Sequence, residues 1–362
     1  MISMSDLLLM MVQKRASDLH LTTGTAPMLR IDGLMVHTPF EKLTPDVCQR
    51  LIYSLLTDQQ RQTFEAKNEL DLSFGIKGVG RVRMNVFRQR GSVAAALRSI
   101  PSQFLTFEEL GLPGAVYTIL KANRGLVLVT GPTGSGKSTS LASMIDYLNE
   151  NRSGHVITIE DPIEYIHQHK KCIVNQREVG QDTQTYSAAL KYILRQDPDI
   201  ILIGEMRDLE TVQAAISIAE TGHLVFATLH TNDAPSTMNR IIDIFPAHQQ
   251  AQIRNQLSFV LQSVISQTLL PHISGTGRVL STEVLINTAG IKNLIREGKT
   301  EQIPMLMQTG GKHGMQTMNQ SLVDLINRRR ISQKVALEYS FDQEELNRHL
   351  SQRAANIRAR SA

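Results

Sequence analysis

The chain contains no tryptophan, only two cysteines and few aromatic residues of any kind, 5% of 362. Cys48 and Cys172 stand far apart. They are too few for a zinc site and lack the even, clustered spacing of a disulfide framework. Two unpaired thiols point to the reducing cytosol. Long apolar runs are missing too. The run Leu7 to Val12 covers six residues, too short to cross a bilayer. It has neither the basic leader region nor the small-residue cleavage site of a secretory signal, and no later stretch reaches spanning length. Membrane association is therefore expected to run through a partner. Nor is there a strong excess of charge of one sign: the net charge is +4. The weak basic balance reads as solvated surface, and the arginines at Arg328 to Arg330, Arg353, Arg358 and Arg360 read as a solvated helical end. No zinc finger, RNA-recognition signature or interleaving of aromatic and basic residues points to nucleic acid.

What is present is ordinary globular material. Hydrophobic residues make up 41% and charged residues 20%, which excludes disorder as the default, and the length suffices for two domains. The first part mixes short elements. A helix is predicted over Leu7 to Lys14, capped by Ser5 or Asp6. LHLTT, MLRI and LMVHT read as strands, the latter two joined at Asp32-Gly33, a hairpin dipeptide. Helical periodicity runs from Thr44 to Lys67, with Thr44 as N-cap and Pro45 at the first position. DLSFGI and RVRMNVF follow as strands around the Gly-rich turn Lys77 to Gly80, then SVAAALRSI. This is an α+β pattern, closing near IPSQFLTFEELGLP between Pro101 and Pro113. Beyond it, LVLVT, VITIE, IILIG and HLVFATLH alternate with helical stretches, the mark of parallel strands buried on both faces. From about Gln249 the periodicity is mostly helical, with GRVLSTEVLI as a strand or hairpin. The expected division is 1–112 and 113–362, with about 270–362 mostly helical.

GPTGSGKST, Gly131 to Thr139, fits the phosphate-loop pattern G-x-x-x-x-G-K-[ST], after a strand and before a helix. Pro132, Thr133, Gly134, Ser135 and Gly136 let the backbone wrap phosphate and aim N–H groups inward. The helix N-terminus beneath Ser138 and Thr139 adds a favourable dipole. Lys137 neutralises charge on the β- and γ-phosphates, and Ser138 offers an oxygen to Mg²⁺. ATP and Mg²⁺ are thus the expected ligands. Such a site needs carboxylates to hold the metal shell and orient water. Two sources stand at strand ends: Glu205 after Ile200 to Gly204, and Glu160, Asp161 and Glu164 after VITIE. The residues alone do not say which activates water and which holds the metal.

His223 and His230 flank HLVFATLH. A seven-residue separation puts them roughly 23 Å apart on a continuous strand and on opposite faces, so they cannot share a metal ion. His230, followed by Thr231 and Asn232 at a strand end, suits γ-phosphate sensing, and His223 a structural role. Arg81 and Arg83 lie two apart on one strand face, with Val82, Met84 and Val86 on the other. Two guanidiniums aimed one way suit charge on a transferred phosphoryl group, and Arg98 is placed to join them.

GPTGSGKST, TIEDPIEY, LRQDPDIILIGEMRD and GHLVFATLHTNDA together resemble the secretion-type ATPases of type II secretion and type IV pili. The similarity runs from SDLHLT and RIDG to MQTGGKHGMQTMNQSL. The length and the C-terminal segment resemble the pilus-retraction branch. The resemblance implies a PAS-like N-terminal domain, a RecA-like ATPase domain and a homohexameric ring at the cytoplasmic base of the pilus, peripheral to the inner membrane. It implies a docking partner in the inner-membrane platform, alongside a possible second retraction ATPase. It implies Glu164 as general base, Glu205 as the Walker B acid that holds the metal with Ser138, and a role for His230. Arg81, Arg83 and Arg98 match arginines that reach the nucleotide, and Arg195 and Arg207 lie in motifs that line the subunit interface. Assembly-type relatives carry a long extra N-terminal domain and a four-cysteine zinc motif, both missing here. The retraction branch's AIRNLIR-like segment reads in this chain as AGIKNLIREGK, Ala289 to Lys299, with Gly290 and Lys292 in place of the usual small residue and arginine. The competing readings are a pilus-assembly or type II secretion ATPase, a nucleic-acid translocase, and a weakly hydrolysing accessory ring subunit.

Overall fold

The structure, a computed structural model, describes residues 2–14, 16–31, 33–76, 80–100 and 103–351. The chain divides into two units, Met1–Gln103 with Glu164–Ile166, and Phe104–Ile163 with His167–Ala362. The first unit contains α1 (Met4–Gln13), β1 (Asp18–Leu21), β2 (Met28–Ile31), β3 (Leu34–His37), α2 (Pro45–Tyr53), α3 (Asp58–Lys67), β4 (Glu69–Ile76), β5 (Gly80–Gln89) and β6 (Ser92–Ile100). Its sheet has the order β3-β2-β1-β6-β5-β4, with every neighbouring pair antiparallel. Val82, Met84 and Val86 of β5 are fully buried. They pack with Leu97, Phe64 and the apolar residues of α1 and α2 into one core.

Two helix boundaries differ from the sequence reading. α1 starts at Met4, because Ser3 is the cap and its hydroxyl accepts the Asp6 N–H at 3.2 Å. This brings Met4 into the buried stripe with Leu7, Leu8 and Met11. The run Thr44 to Lys67 is two helices, because Thr57 and Gln60 form a capping box that starts α3 afresh. Asp32, Lys77 to Val79, Pro101 and the arginines beyond residue 351 lie outside the described residues. Gly33, at φ +85°, takes the left-handed conformation expected of that hairpin.

The second unit contains α4 (Phe107–Leu110), α5 (Ala115–Ile119), β7 (Gly125–Thr130), α6 (Lys137–Asn151), β8 (Gly154–Glu160), β9 (Cys172–Glu178), α7 (Tyr186–Ile193), β10 (Ile200–Ile203), α8 (Leu209–Glu220), β11 (Leu224–Leu229), α9 (Ala234–Asp243) and α10 (Ala247–Val260). Then come β12 (Leu261–Pro271), β13 (Arg278–Ile286), α11 (Ala289–Glu297), α12 (Ile303–Thr309), α13 (Met318–Asn327) and α14 (Gln333–Tyr339), with helix again over 343–351. The sheet order is β13-β12-β7-β11-β10-β8-β9. All neighbours are parallel except the β12–β13 pair. Leu126 and Leu128 of β7 join the core on one face, and Val127 and Val129 the core on the other. This is an α/β fold with the sheet buried on both sides.

Two strands escape the sequence reading. β12 occupies residues expected to be helical, so the mostly helical region begins at Ala289. Its Ser263, Ser266 and Gln267 are fully buried, and that scatter of polar residues hides a strand whose apolar run is otherwise clear. β9 is an edge strand with Ile173 exposed, too mixed in burial to read as a buried run. Phe107 and Leu112 pack in a core of the second unit, so the expected division after residue 112 falls inside that unit.

Candidate active site

The register of the parallel strands gathers several candidate residues at one end of the sheet. Leu229 pairs with Thr130, Ala227 with Ile203, and Ile203 with Ile159. The phosphate loop, Glu205 and His230 therefore follow strand C-terminal ends, and Glu160 is the last residue of β8, all on the same side, where open α/β sheets bind ligands.

Gly131, Gly134 and Gly136 all have positive φ, which non-glycine residues adopt only at a cost. At Gly131 the space is also closed: a Cβ would lie 2.3 Å from the Gln267 carbonyl oxygen and 2.8 Å from Ser135 Oγ. Pro132, Thr133 and Gly134 form the exposed crest of the loop. Lys137 opens α6, and its Nζ donates to the carbonyls of Gly131 at 2.7 Å and Pro132 at 3.1 Å. Ser138 and Thr139 sit in the first turn of α6, where backbone N–H groups lack intrahelical partners and favour an anion. Ser135 Oγ is buried without a hydrogen-bond partner. An unmet donor inside a glycine-shaped loop fits a phosphate group.

Glu205 is held from two sides, by Arg207 Nη2 at 2.7 Å and His230 Nε2 at 3.1 Å. Burial alone would raise its carboxyl, but the hydrogen bonds and charges of Arg207 and His230 outweigh that and hold it below the ordinary range. The two loops are tied through the backbone as well. Met206 N–H donates to the Thr228 carbonyl at 3.1 Å, and the Thr228 hydroxyl donates to the Gly204 carbonyl. Glu160 Oε1 accepts from the Thr158 hydroxyl at 2.6 Å and Gln176 Nε2 at 3.1 Å. Arg195 lies on the short 3₁₀ turn after α7, with its guanidinium 5.9 Å from the Tyr192 ring centre. His223 leans on Thr221 and the Ile218 carbonyl, a structural setting. The described residues contain no group of three or more His, Cys, Asp or Glu side chains that could hold a metal ion. A nucleotide-borne Mg²⁺ needs less than that, since it keeps waters and takes one or two protein oxygens beside the phosphates. Ser138 and Glu205 are of that type.

In the first unit the arginines share a sheet face. Arg83 stands opposite Arg98, and Arg98 opposite Asp18. Arg98 Nε reaches Asp18 at 2.8 Å, Arg83 reaches Asp71 at 3.8 Å, and Arg81 donates to the Ser73 hydroxyl at 2.7 Å. Glu164 is exposed in the stretch after β8, and residues 164–166 group with the first unit.

Sequence reasoning missed Thr158 and Tyr186. Thr158 stands two residues before Glu160, hence on the same strand face, a spacing legible in advance. Tyr186 gave no signal. A Cβ on Gly204 would lie 2.7 Å from its hydroxyl, so glycine makes room for the phenol. Burial, then the charges of Asp161, Glu160 and Glu205, push that phenol up and keep it protonated.

A glycine-rich phosphate loop leaving a central parallel strand, with acids at neighbouring strand ends, defines a P-loop nucleotide-binding protein. The chain belongs to the type II/IV secretion system protein family, whose profile matches residues 2–357. It is 51% identical over 334 residues to a type IV pilus retraction ATPase, PilT, of Pseudomonas aeruginosa, covering 92% of this chain and 97% of that one. It is 45% identical over 339 residues to a twitching motility protein of Neisseria gonorrhoeae, covering 92% and 91%. A crystal structure of the pilus retraction motor PilT with bound ADP superposes with a TM-score of 0.90 at 54% identity, covering 96% of this chain and all of that one.

Proposed function

We propose that this chain is the ATP-hydrolysing motor that powers type IV pilus retraction. The observation that carries the reading is the held Glu205, fixed by Arg207 and His230 at the end of the sheet from which the phosphate loop departs. The likeness to pilus-retraction proteins along nearly the whole chain supplies the biological output. ATP binds with its phosphates on the N–H groups of Gly131 to Thr139 and on Lys137. Ser138 and Glu205 would hold Mg²⁺, which would supply neutralisation of charge on the β- and γ-phosphates. Glu164 takes the proton of the attacking water, and His230 reads the γ-phosphate. Arg81, Arg83 and Arg98 stabilise the transferred phosphoryl group.

The fold is read as a PAS-like first domain and a RecA-like ATPase domain, assembled six to a ring, with Arg195 and Arg207 facing neighbouring subunits. The ring is placed at the cytoplasmic base of the pilus, docked on an inner-membrane platform protein. The described residues contain no helix long and apolar enough to cross a membrane. The test is made in cells. Individual labelled pili are followed after removal of this chain and after its return. Pili that extend but do not withdraw, rescued by the wild-type chain and not by a Lys137→Ala chain, are expected. Normal withdrawal without the chain refutes the reading.

A further inference from the structure

Glu283 is an acid that the phosphate chemistry above leaves unused. It lies within β13, opposite Ser266 of β12. Its Oε1 accepts the backbone N–H of Ala234 at 2.8 Å, and its carboxylate also takes the backbone N–H of Met318. Ala234 and Met318 are the first residues of α9 and α13. The first amides of a helix have no partner within it. At both helices the cap side chain serves a later amide: Asp233 takes that of Ser236 at 2.7 Å, and Thr317 that of Gln320 at 3.2 Å. The first amide of each is left to Glu283, so one carboxylate fastens two helix starts to one strand.

Both ends of this fastening lead to the phosphate site. On one side, α9 begins four residues after His230, so Glu283 fixes the far end of the loop whose near end holds Glu205. On the other side, the Ser266 hydroxyl accepts from Thr130 Oγ1 at 2.9 Å, at the last residue before the phosphate loop. The next residue, Gln267, packs its carbonyl against Gly131 and donates from Nε2 to the Ser140 hydroxyl of α6 at 2.7 Å. The Glu283–Ser266 pair thus joins the His230 loop to the phosphate loop across two strands. The charged groups acting on Glu283 are Asp233, the cap of α9, and Glu345 in the helical stretch 343–351. Burial first, then these two acids, push its carboxyl up to about 7, against the pull of the two N–H groups.

We propose that Glu283 is a positioning residue for ATP hydrolysis, holding the loop between β11 and α9 so that His230 meets Glu205, without touching the nucleotide itself. The proposal rests on the reading that this loop serves the γ-phosphate.

The test compares the full chain carrying Glu283→Ala, Glu283→Gln and His230→Ala with wild type, reading kcat and KM for ATP, affinity for a fluorescent ATP analogue, and Tm. Glu283→Ala is expected to lower kcat roughly 10- to 100-fold, the scale of a lost charged hydrogen bond, with KM and analogue affinity little changed. Gln keeps one acceptor oxygen but turns an amide N–H toward the other helix, so Glu283→Gln is expected to fall between. Wild type should lose kcat as pH falls through about 7, where a protonated carboxyl accepts less well, and Glu283→Gln should lack that limb. If Glu283→Ala does not fold, Glu283→Gln decides: wild-type kcat with the wild-type pH profile overturns the proposal. A lowered Tm with unchanged kcat in the folded range also overturns it, since that is a purely structural role. Loss of kcat in His230→Ala but in neither Glu283 variant defeats the fastening alone. Full kcat in His230→Ala defeats the reading of the loop beneath it.

Discussion

In the first unit β5 buries Val82, Met84 and Val86 and turns Arg81 and Arg83 to the opposite face, whereas in the second unit β7 buries all six of its residues. The contrast follows from sheet type. An antiparallel sheet covered on one side leaves its other face free to carry function mid-strand. A parallel sheet covered on both sides has no free face, so its chemistry moves to the loops beyond the strand ends. Arginines in a row on a strand face and convergent loops around a phosphate site are the two outcomes. The loops have to be fastened separately, by Arg207 and His230 on Glu205, Thr158 on Glu160, and Glu283 on the start of α9.

If function in the second unit resides at strand ends, the largest effect comes from Lys137→Ala. ATP turnover and analogue binding are expected to fall together, by at least about 100-fold, and turnover assays beside equilibrium titration check it. If the first unit acts through its sheet face, Arg83→Ala is expected to lower kcat roughly 10- to 100-fold while leaving Tm near wild type, because its ion pair with Asp71 is exposed. Arg83→Lys, which keeps the charge and loses the fork, should recover part of this. An Arg83→Ala chain with full activity breaks the comparison.

A smaller, pH-linked effect belongs to Glu283. Its folded carboxyl lies above its ordinary value, so the folded chain binds that proton more tightly than the unfolded chain. The resulting stability is full below the ordinary carboxyl range of about 4.5 and is lost as pH rises through about 7. Replacing Glu283 by Gln should flatten this dependence by up to about 3 kcal/mol, read as Tm between pH 5 and pH 8. The smallest effect is expected at Gly290→Ala in α11. Helix propensity favours Ala by about 1 kcal/mol, but its Cβ would lie 3.1 Å from Leu306 Cδ1. The two oppose, and the change in stability should stay within about 1 kcal/mol, measured by urea unfolding.

Legibility followed the same division. The alternation in β5 and the apolar runs of β7, β8, β10 and β11 are period signals, and their strand ends carried the phosphate loop, Glu205 and His230 into view. The break between α2 and α3 was present as the Thr57–Gln60 capping box but was masked by continuous helical periodicity. β12 failed to read because Ser263, Ser266 and Gln267 are polar yet buried. Two of them serve partners far away in the chain, Thr130 and Ser140, and local pattern carries no trace of that. Glu283 was hidden for the same reason, since a lone acid in an apolar strand reveals its two helix starts only in three dimensions.

The most direct measurement is Mg²⁺-dependent ATP turnover of wild type beside Glu164→Ala and Glu205→Ala, with particle mass read on the same samples. Turnover by a six-subunit particle is expected, with two variants that bind ATP but do not hydrolyse it. A wild type that is inactive at every protein concentration, or variants that remain active, would contradict this.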